Sequence, residues 1–325
     1  MNTLLDTRFL KSAVASACAA LMLAACGGGG GGGTDTAVTI ASAGATVSPT
    51  SHAGTDVASA SEAAPTPTPT TDAAATPAPA ATAAAEASAD AAGPFGHNAA
   101  EYVMTFSDEF ENGFNRDVWN DTTWDKPAPA TVNYTVEDGS LKMWPARDEQ
   151  GNFVARVVDT DGNFYQTYGY YEIEAKLPVG KGTWPAFWLY NHDEPDPFRP
   201  EIDIMEAYSG GGPASGWSDA NFHPTTYAPT IWTGMPGELG GTKMVQNLGD
   251  LSAGYHKYAL KWEPGKQTYY FDGREVYSVN LAMPRRMYVM LDLLFGSASG
   301  QPDDTTPQGK SNSFDVKYVR VWQFK

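Results

Sequence analysis

Cysteine and basic residues are scarce in this chain, and each shortage narrows the classes of protein that it can belong to. Only 2 cysteines occur, no His/Cys cluster has the spacing of a zinc site, and there is no EF-hand loop. Lys and Arg together number 21 against 38 Asp and Glu, which gives a formal net charge of −17. Because an acidic surface repels nucleic acid, we expect no nucleic-acid partner.

Long hydrophobic runs are also missing. The longest, Ala13–Ala25, is too short to span a bilayer, which takes about 20 apolar residues. The run follows Arg8 and Lys11 and ends at Cys26, an order typical of a secretory signal. We therefore interpret residues 1–26 as a signal peptide.

The end of this run, Leu23-Ala24-Ala25-Cys26, resembles the lipobox of bacterial lipoproteins. In that family the chain is cut before the cysteine, which then carries the lipid, so Cys26 is the predicted lipidation site. The alternative is an ordinary signal peptide with an incidental cysteine. Cys18 lies inside the signal, however, and would leave Cys26 without an intramolecular disulfide partner. Gly27 replaces the aspartate of inner-membrane retention, so the resemblance favours the outer membrane or the cell surface, with the lipid as the only membrane contact.

Aromatic residues are absent from residues 27–94, which open with seven glycines and continue as Ala, Thr, Pro and Ser. Such a segment cannot bury enough apolar surface to offset its chain entropy. We predict a disordered linker, which as a flexible coil would span roughly 45 Å root-mean-square. Of the total charge the linker holds −6 and the signal +1, which leaves −12 for residues 95–325.

Residues 95–325 lack any 12-residue stretch with a helical period, but they are rich in aromatic residues and in turn signals. Pairs such as Asp138-Gly139 and Asp272-Gly273 separate short runs typical of strands. Many short strands without helices predict one all-β domain, a β-sandwich of two antiparallel sheets. The predicted strands are Tyr134–Val136, Ser140–Trp144, Phe153–Val158, Gly169–Leu177, Trp184–Tyr190, Tyr258–Trp262, Thr268–Phe271, Tyr288–Leu294 and Asp315–Gln323.

The run Glu201–Glu206 places three carboxylates among apolar side chains. Acids are depleted in strands, so this run is costly unless the acids line a wet cleft. Alternation along a strand puts Glu201 and Asp203 on one face, whereas Glu206 has the wrong parity. One extra residue in a β-bulge around Ile204-Met205 would restore it. Two glutamates would then flank a pocket, as glycoside hydrolysis requires.

From about Phe106 to Lys325 the chain resembles glycoside hydrolase family 16, in the order of that family's motifs. The matching segments are Phe106–Phe110, Val136–Leu141, Tyr168–Ala175, Gly182–Trp188, Glu201–Glu206, His256–Trp262 and Tyr318–Trp322. The resemblance implies a jelly-roll sandwich with a concave cleft for a polysaccharide. It assigns Glu201 as the nucleophile, Asp203 as the assisting acid and Glu206 as the general acid/base. The spacing from Glu201 to Glu206 is that of the bulge-containing, laminarinase-like branch.

The same roles follow from the chemistry. A retaining mechanism needs two carboxyl groups roughly 5–5.5 Å apart, one of which attacks the anomeric carbon. Glu206 must be neutral to protonate the leaving oxygen, so we expect burial and neighbouring anions to raise its pKa. Asp203 would share a proton with Glu201. The alternatives are a surface charge cluster and a lectin-like domain with inactive acids.

Aromatic side chains are the second candidate group, because their rings stack on the apolar faces of sugars. Trp184 matches the family tryptophan beside the scissile bond. Trp188 lies on the same strand face and belongs either to the cleft or to the core, and His223 is either a cleft or a structural histidine. Trp217 and Trp232, with Tyr227, are predicted in loops after the acid strand, in sugar subsites or in the core. The predicted core tryptophans are Trp119, Trp144, Trp262 and Trp322.

A structural calcium is doubtful. Many members of the family hold one with an aspartate just before the Tyr-Val-Arg-Val of the last strand, where this chain has Lys317. The lysine removes a ligand and adds positive charge. We expect no cofactor and no metal, and we hypothesise that the ammonium group replaces the ion.

The predicted function is a monomeric, surface-tethered, retaining endo-β-glycanase acting on β-1,3 or mixed β-1,3/1,4 glucan. The acidity favours neutral polymers, although a local basic groove would still admit agar, carrageenan or an acidic exopolysaccharide. The segment Gly296–Gly300 lacks the tryptophan that many laminarinases place nearby, and the loop Asn191–Pro200 is unlike the short approach of simpler members. The alternatives are an exopolysaccharide depolymerase or transglycosylase of the same family and a non-catalytic carbohydrate-binding lipoprotein.

Overall fold

Strands and turns make up almost all of the regular structure in the computed structural model, which describes residues 93–193, 200–211, 224–233 and 238–325. The described part holds no α-helix and three short 3-10 helices, at Ala99–Glu101, Ser297–Ser299 and Lys310–Asn312. The strands are β1 (Tyr102–Asp108), β2 (Tyr134–Glu137), β3 (Ser140–Met143), β4 (Arg156–Asp159), β5 (Gly169–Lys176), β6 (Thr183–Tyr190), β7 (Glu201–Ala207), β8 (Tyr227–Trp232), β9 (Leu239–Thr242), β10 (His256–Glu263), β11 (Lys266–Phe271), β12 (Arg274–Val279), β13 (Tyr288–Phe295) and β14 (Phe314–Phe324).

Two antiparallel sheets contain these strands. The first, which we call the back sheet, has the order β12-β11-β10-β5-β14-β3-β2, with β1 also paired to β14. The second, the acid sheet, has the order β4-β13-β6-β7-β8-β9 and carries the Glu201–Glu206 run in β7. The predicted all-β sandwich is therefore confirmed, and with it the jelly-roll architecture that the family resemblance implies.

One hydrophobic core lies between the sheets. From the acid sheet it takes side chains such as Leu189, Ile202 and Leu291, and from the back sheet Ile173 and Val319, all completely buried. Because side chains alternate across a strand, burial of Ile202 turns its neighbours in β7 toward the other face of the acid sheet. That outer face carries the acids.

Tight two-residue turns close the hairpins that the sequence predicts. Asp138-Gly139 joins β2 to β3 and Asp272-Gly273 joins β11 to β12, with all four φ angles between 47° and 75°. Positive φ at both central residues defines the type I′ turn, whose twist matches that of paired strands. Pro264-Gly265 likewise joins β10 to β11, so these consecutive hairpins are confirmed.

Some predictions about elements were wrong. Tyr227 and Trp232 lie in strand β8, not in a loop, and the sequence reading did not list β1, β9 or β12 as strands. Trp119, Trp262 and Trp322 are buried as predicted, but Trp144 is only half-buried, with the Lys310 ammonium over its ring. The predicted signal, Cys26 and nearly all of the predicted linker lie outside the described residues. Within the described ranges we find no apolar helix of membrane-spanning length.

Candidate active site

A β-bulge shapes strand β7 at the point where the sequence requires one. Against β6, Asp203 pairs with Trp188 and Met205 pairs with Phe187, so Ile204 is the extra residue. Ile204 and Met205 are both buried in the core. The extra residue returns the side chain of Glu206 to the outer face of the acid sheet.

Proline stands opposite this bulge in the neighbouring strand. Asp203 pairs with Thr230 and Glu206 pairs with Ala228, which leaves Pro229 alone across from the two bulged residues. Proline has no N–H, and in sheets it is confined to edges, strand starts and bulges. Because Pro229 has no N–H, β8 leaves no hydrogen-bond donor unpaired at the position where the register of the ladder shifts.

Glu206 is held by three hydrogen-bond donors. Its Oε1 accepts a bond from Trp184 Nε1 at 3.0 Å and from the Tyr208 hydroxyl at 2.9 Å, and the Thr230 hydroxyl donates a third. The side chain is buried, which raises the pKa of Glu206 to about 6, while the three donors oppose this rise. Burial acts as expected from the sequence, whereas neighbouring anions are not among the causes of this shift.

Glu201 and Asp203 form a hydrogen-bonded pair beside it. Glu201 is half-buried, and burial and the negative charge of Glu206 raise its pKa to about 8, against the bond from Asp203. Burial raises the pKa of Asp203 as well, helped by the charges of Glu206 and Glu201, although the Trp232 indole donates to it. Two carboxyl groups can share a hydrogen bond only if one of them carries a proton. When it is singly ionised, the pair therefore holds one proton between the two groups.

A fourth carboxyl group, that of Asp292, lies on the same face. Asp292 pairs with Ala186 of β6, and Ala186 pairs with Glu206, so the three residues form one row across the sheet. Trp188 Nε1 donates to Asp292 Oδ2 at 2.8 Å, while the buried Oδ1 has no partner among the described residues. Burial, with the charges of Glu206 and Glu201, raises the pKa of Asp292 well above its usual range.

These contacts give the acids different chemistry. The oxygen Glu206 Oε1 uses both lone pairs on Trp184 and Tyr208, so a proton on this residue would sit on Oε2. The singly ionised pair of Glu201 and Asp203 presents one negative charge on the same sheet face as Glu206. A charge that can attack and an acid that can protonate are thus presented side by side.

The predicted aromatic contacts divide into three groups. Trp184, Trp188 and Trp232 are half-buried, and strand register puts each of them on the acid face of the sheet. Tyr227 is buried in the core against Tyr258, the second of the two alternatives for it. Trp217 and His223 lie outside the described residues. Contact of any of these side chains with a sugar stays a prediction.

Sequence reasoning missed Asp292, Thr230 and Tyr208. For Asp292 a signal was available, because a single acid inside the apolar run Tyr288–Phe295 is as anomalous as the acids of β7. Thr230 and Tyr208 carry no such signal. Threonine and tyrosine are common in strands, and their role depends on a register that only the bulge sets.

The site of the family's structural calcium does not fit the residues present. Lys317 Nζ lies 3.1 Å from Glu174 Oε1 and 4.1 Å from the centre of the Tyr255 ring. A second ammonium, that of Lys257, lies 2.7 Å from Glu174 Oε2. Among the described residues, no group of three or more His, Cys, Asp or Glu side chains could hold a metal ion.

Comparison with known proteins points to a single family. A family model described as Glycosyl hydrolases family 16 matches residues 118–314, more than half of the chain. Endo-1,3-1,4-β-glycanase EglC of Rhizobium meliloti is 27% identical over 207 residues, which are 61% of this chain and 41% of that protein. Glucan endo-1,3-β-glucosidase of Cryptopygus antarcticus is 26% identical over 266 residues, 70% of this chain and 94% of that protein.

Solved structures agree with this assignment. The catalytic domain of an endo-1,3-β-glucanase (laminarinase) from Thermotoga petrophila superposes with a TM-score of 0.56 at 25% identity, over 69% of this chain and 99% of that one. The chain spans about half of the length of the first curated relatives that it matches, 41% and 51% for the two Rhizobium meliloti proteins.

Proposed function

Because the chain belongs to glycosyl hydrolase family 16, we propose that it is a retaining endo-β-glycanase that hydrolyses internal β-1,3 or mixed β-1,3/1,4 bonds of a glucan. The observation that carries the proposal is the bulge at Ile204, which turns Glu206 onto the face that Glu201 already occupies. Curated relatives named endo-1,3-1,4-β-glycanase and glucan endo-1,3-β-glucosidase support the choice of linkages.

The reaction divides between two residues in two steps. In the first, a carboxylate oxygen of Glu201 attacks the anomeric carbon, and the proton on Glu206 Oε2 moves to the departing glycosidic oxygen. In the second, Glu206 takes a proton from water, whose oxygen displaces Glu201 from the sugar. The donors on Glu206 Oε1 fix the plane of its carboxyl group in both steps.

Asp203 assists through its bond to Glu201. When Glu201 becomes an ester it loses its charge, and the proton that the two shared stays with Asp203. The ester is then released without a buried carboxylate left unpaired beside it.

Product stereochemistry and a nucleophile variant test the proposal. We expect the wild-type full chain to release products with the anomeric configuration of the cleaved bond, as followed by proton NMR during hydrolysis of laminarin and lichenan. Glu201→Gln should abolish this activity, while Glu275→Gln, an exposed glutamate of the back sheet, should retain it. Inverted products, or activity that survives Glu201→Gln, would contradict a retaining mechanism through this residue.

Two other functions use the same site. A depolymerase or transglycosylase for exopolysaccharide is favoured by the departures in the segments Gly296–Gly300 and Asn191–Pro200. Product analysis on laminarin, lichenan, agarose and xyloglucan separates these substrates, and sugar acceptors separate transfer from hydrolysis. A non-catalytic binding lipoprotein would retain its polysaccharide and release no products in any of these assays.

For location we propose a lipid anchor at Cys26, on the outer membrane or the cell surface of a bacterial envelope, with a monomeric domain held on the linker. Cells grown with labelled palmitate should incorporate label into the wild-type chain and not into Cys26→Ser. Equal labelling of both would contradict the anchor.

A further inference from the structure

Among the exposed apolar residues that the structure describes, Trp124 has the bulkiest side chain, and 42% of its surface is accessible. It lies at the tip of a tight turn in which the backbones of Thr123 and Lys126 bond to each other, at 3.0 and 3.3 Å. Asn120 ties the start of this loop to β4 by bonding to Asp159 through its main chain and its side chain, each at 2.8 Å. The ring is therefore held beside the acid sheet.

Rings connect Trp124 to the candidate active site. Tyr190 pairs directly with Glu201, and Trp188 with Asp203, so both rings stand on the acid face. The Tyr190 ring centre lies 5.4 Å from that of Trp188 and 5.2 Å from that of Trp124. The row of rings thus starts beside the acids and ends at an exposed indole.

A second ring, besides that of Tyr190, supports the indole. The His192 ring stacks on it at 5.3 Å with the two planes 8° apart. His192 is itself fixed by Asp161 at 3.3 Å, Asp193 at 3.2 Å and the Tyr288 hydroxyl at 3.4 Å. One face of Trp124 is thus stacked on a ring that three contacts hold in place, and 42% of the Trp124 surface is accessible.

We propose that Trp124 is a sugar-stacking platform at the far end of the cleft, which binds the apolar face of a pyranose ring of the substrate chain. A flat, immobilised aromatic face that continues a row of rings from the acids matches such a ligand, because stacking on a preordered ring loses little entropy. The inference rests on the proposed function and concerns a different part of the same polysaccharide.

Kinetics on oligosaccharides of graded length test the platform. With laminari-oligosaccharides of three to seven glucose units, we expect Trp124→Ala in the full chain to raise KM for the longest substrates by about 3- to 10-fold. The effect should shrink toward the shortest substrate, and the kcat on saturating long substrates should keep its wild-type value, since Trp124 does not touch the acids. Trp124→Phe should restore part of the affinity.

The matched control is Phe95→Ala, an aromatic side chain of similar exposure (47%) that packs against the Gly273 turn of the back sheet. It should leave KM unchanged at every length. A loss that Trp124→Ala shows equally at all lengths, or no loss on long substrates, would overturn the platform. So would self-association of the wild-type chain in sedimentation that Trp124→Ala abolishes while KM stays unaltered.

Failure of the proposed function gives a different result. If the wild-type chain cleaves no polysaccharide, its retardation in gels that contain laminarin or lichenan still reports binding. Weaker retardation of Trp124→Ala than of Phe95→Ala would uphold the platform, and equal retardation would overturn it.

Discussion

Two opposing effects act on the pKa of the Glu206 carboxyl group. Burial favours its neutral form, and the donors Trp184, Tyr208 and Thr230 favour the ionised form, so that the pKa comes to lie at about 6. A general acid works best when its pKa is near the working pH, because it must hold its proton and still release it. The same three contacts position the residue and adjust its acidity.

Replacing Glu206 by Gln should therefore lower kcat/KM on laminarin by about 10²- to 10⁴-fold. The loss should be much smaller on an aryl glycoside with an acidic leaving group, which departs without a proton. In the wild type, kcat/KM should fall as the pH rises above about 6, because the acid form is then lost. Glu206→Gln should lack that limb of the profile, and an unchanged limb would assign it to another group.

Single residues were predictable from the sequence where their chemistry conflicts with their surroundings. The acids of β7 stood out for this reason, and Asp292 carried the same signal. Trp124 did not stand out, since a tryptophan in a turn is equally compatible with the core. Its exposure depends on where Asn120 attaches the loop, and that contact joins residues 39 apart in the sequence.

Strand β7 shows how one extra residue determines what an element presents. Without the bulge, the side chain of Glu206 would point into the core between the sheets. With the bulge, Ile204 and Met205 are both buried and the acid faces outward. Pro229 makes this arrangement compatible with β8, because it asks for no hydrogen bond from the bulged segment.

Deleting Ile204 should remove the bulge and leave Asp203, Met205 and Glu206 in regular alternation, so that Met205 faces the core and the Glu206 carboxyl still faces outward. We expect the folded deletion variant to keep measurable activity, and the free energy of unfolding to drop by about 2–5 kcal/mol because the buried Ile204 side chain is lost. Urea unfolding with circular dichroism measures the second effect. Pro229→Ala keeps the residue count and should also retain activity, whereas a folded but inactive deletion variant would show that the direction of Glu206 depends on more than the parity of β7.

At the scale of elements, the period of two and the turn dipeptides predicted most of the strands. Strand β8 was missed because Pro229 interrupts the pattern, and proline in a run normally argues against a strand. The sequence indicated both features, a bulge in β7 and a proline in the segment of β8. That the two lie opposite each other is a property of the tertiary structure, which strand propensity alone does not predict.

Over the whole domain, lysines occupy the region where the family resemblance implies a calcium site. Lys317 and Lys257 both contact Glu174, and their hydrogen bonds lower its pKa although burial opposes this. We predict that the melting temperature of the full chain is the same in calcium and in EDTA. Lys317→Ala should lower it in both, and a rise of several degrees on adding calcium to the wild type would refute the replacement of the ion by ammonium.

The raised pKa values of buried carboxyl groups also determine how the stability of the whole domain depends on pH. Folding raises the pKa of Glu206 and of Asp159 to about 6 and that of Glu201 to about 8, all above their values in an unfolded chain. Between about pH 4.5 and pH 8 the folded state therefore binds more protons than the unfolded state, and its stability falls as the pH rises.

Other groups act in the opposite direction at lower pH, and one of them does so within this window. Folding lowers the pKa of Asp121 to about 2 through its bond to Arg116, and this contribution is lost only as the pH falls below about 4. Burial lowers the pKa of His97, so protonation of that ring weakens the fold below about pH 6.5. The half-buried His97 offsets only part of the carboxyl effect, and we place the stability maximum near pH 5.

Urea unfolding at pH 5, 6.5 and 8 measures this dependence. We expect the free energy of unfolding to be about 1–3 kcal/mol lower at pH 8 than at pH 5, less than the full shifts imply because Glu201 is partly exposed. The combined variant Glu201→Gln, Asp203→Asn and Glu206→Gln should flatten the slope, since its side chains cannot ionise. If the pH dependence in that variant is as steep as in the wild type, it arises from Asp159 and the rest of the domain. Ionisation of the three site acids would then not lower the free energy of unfolding.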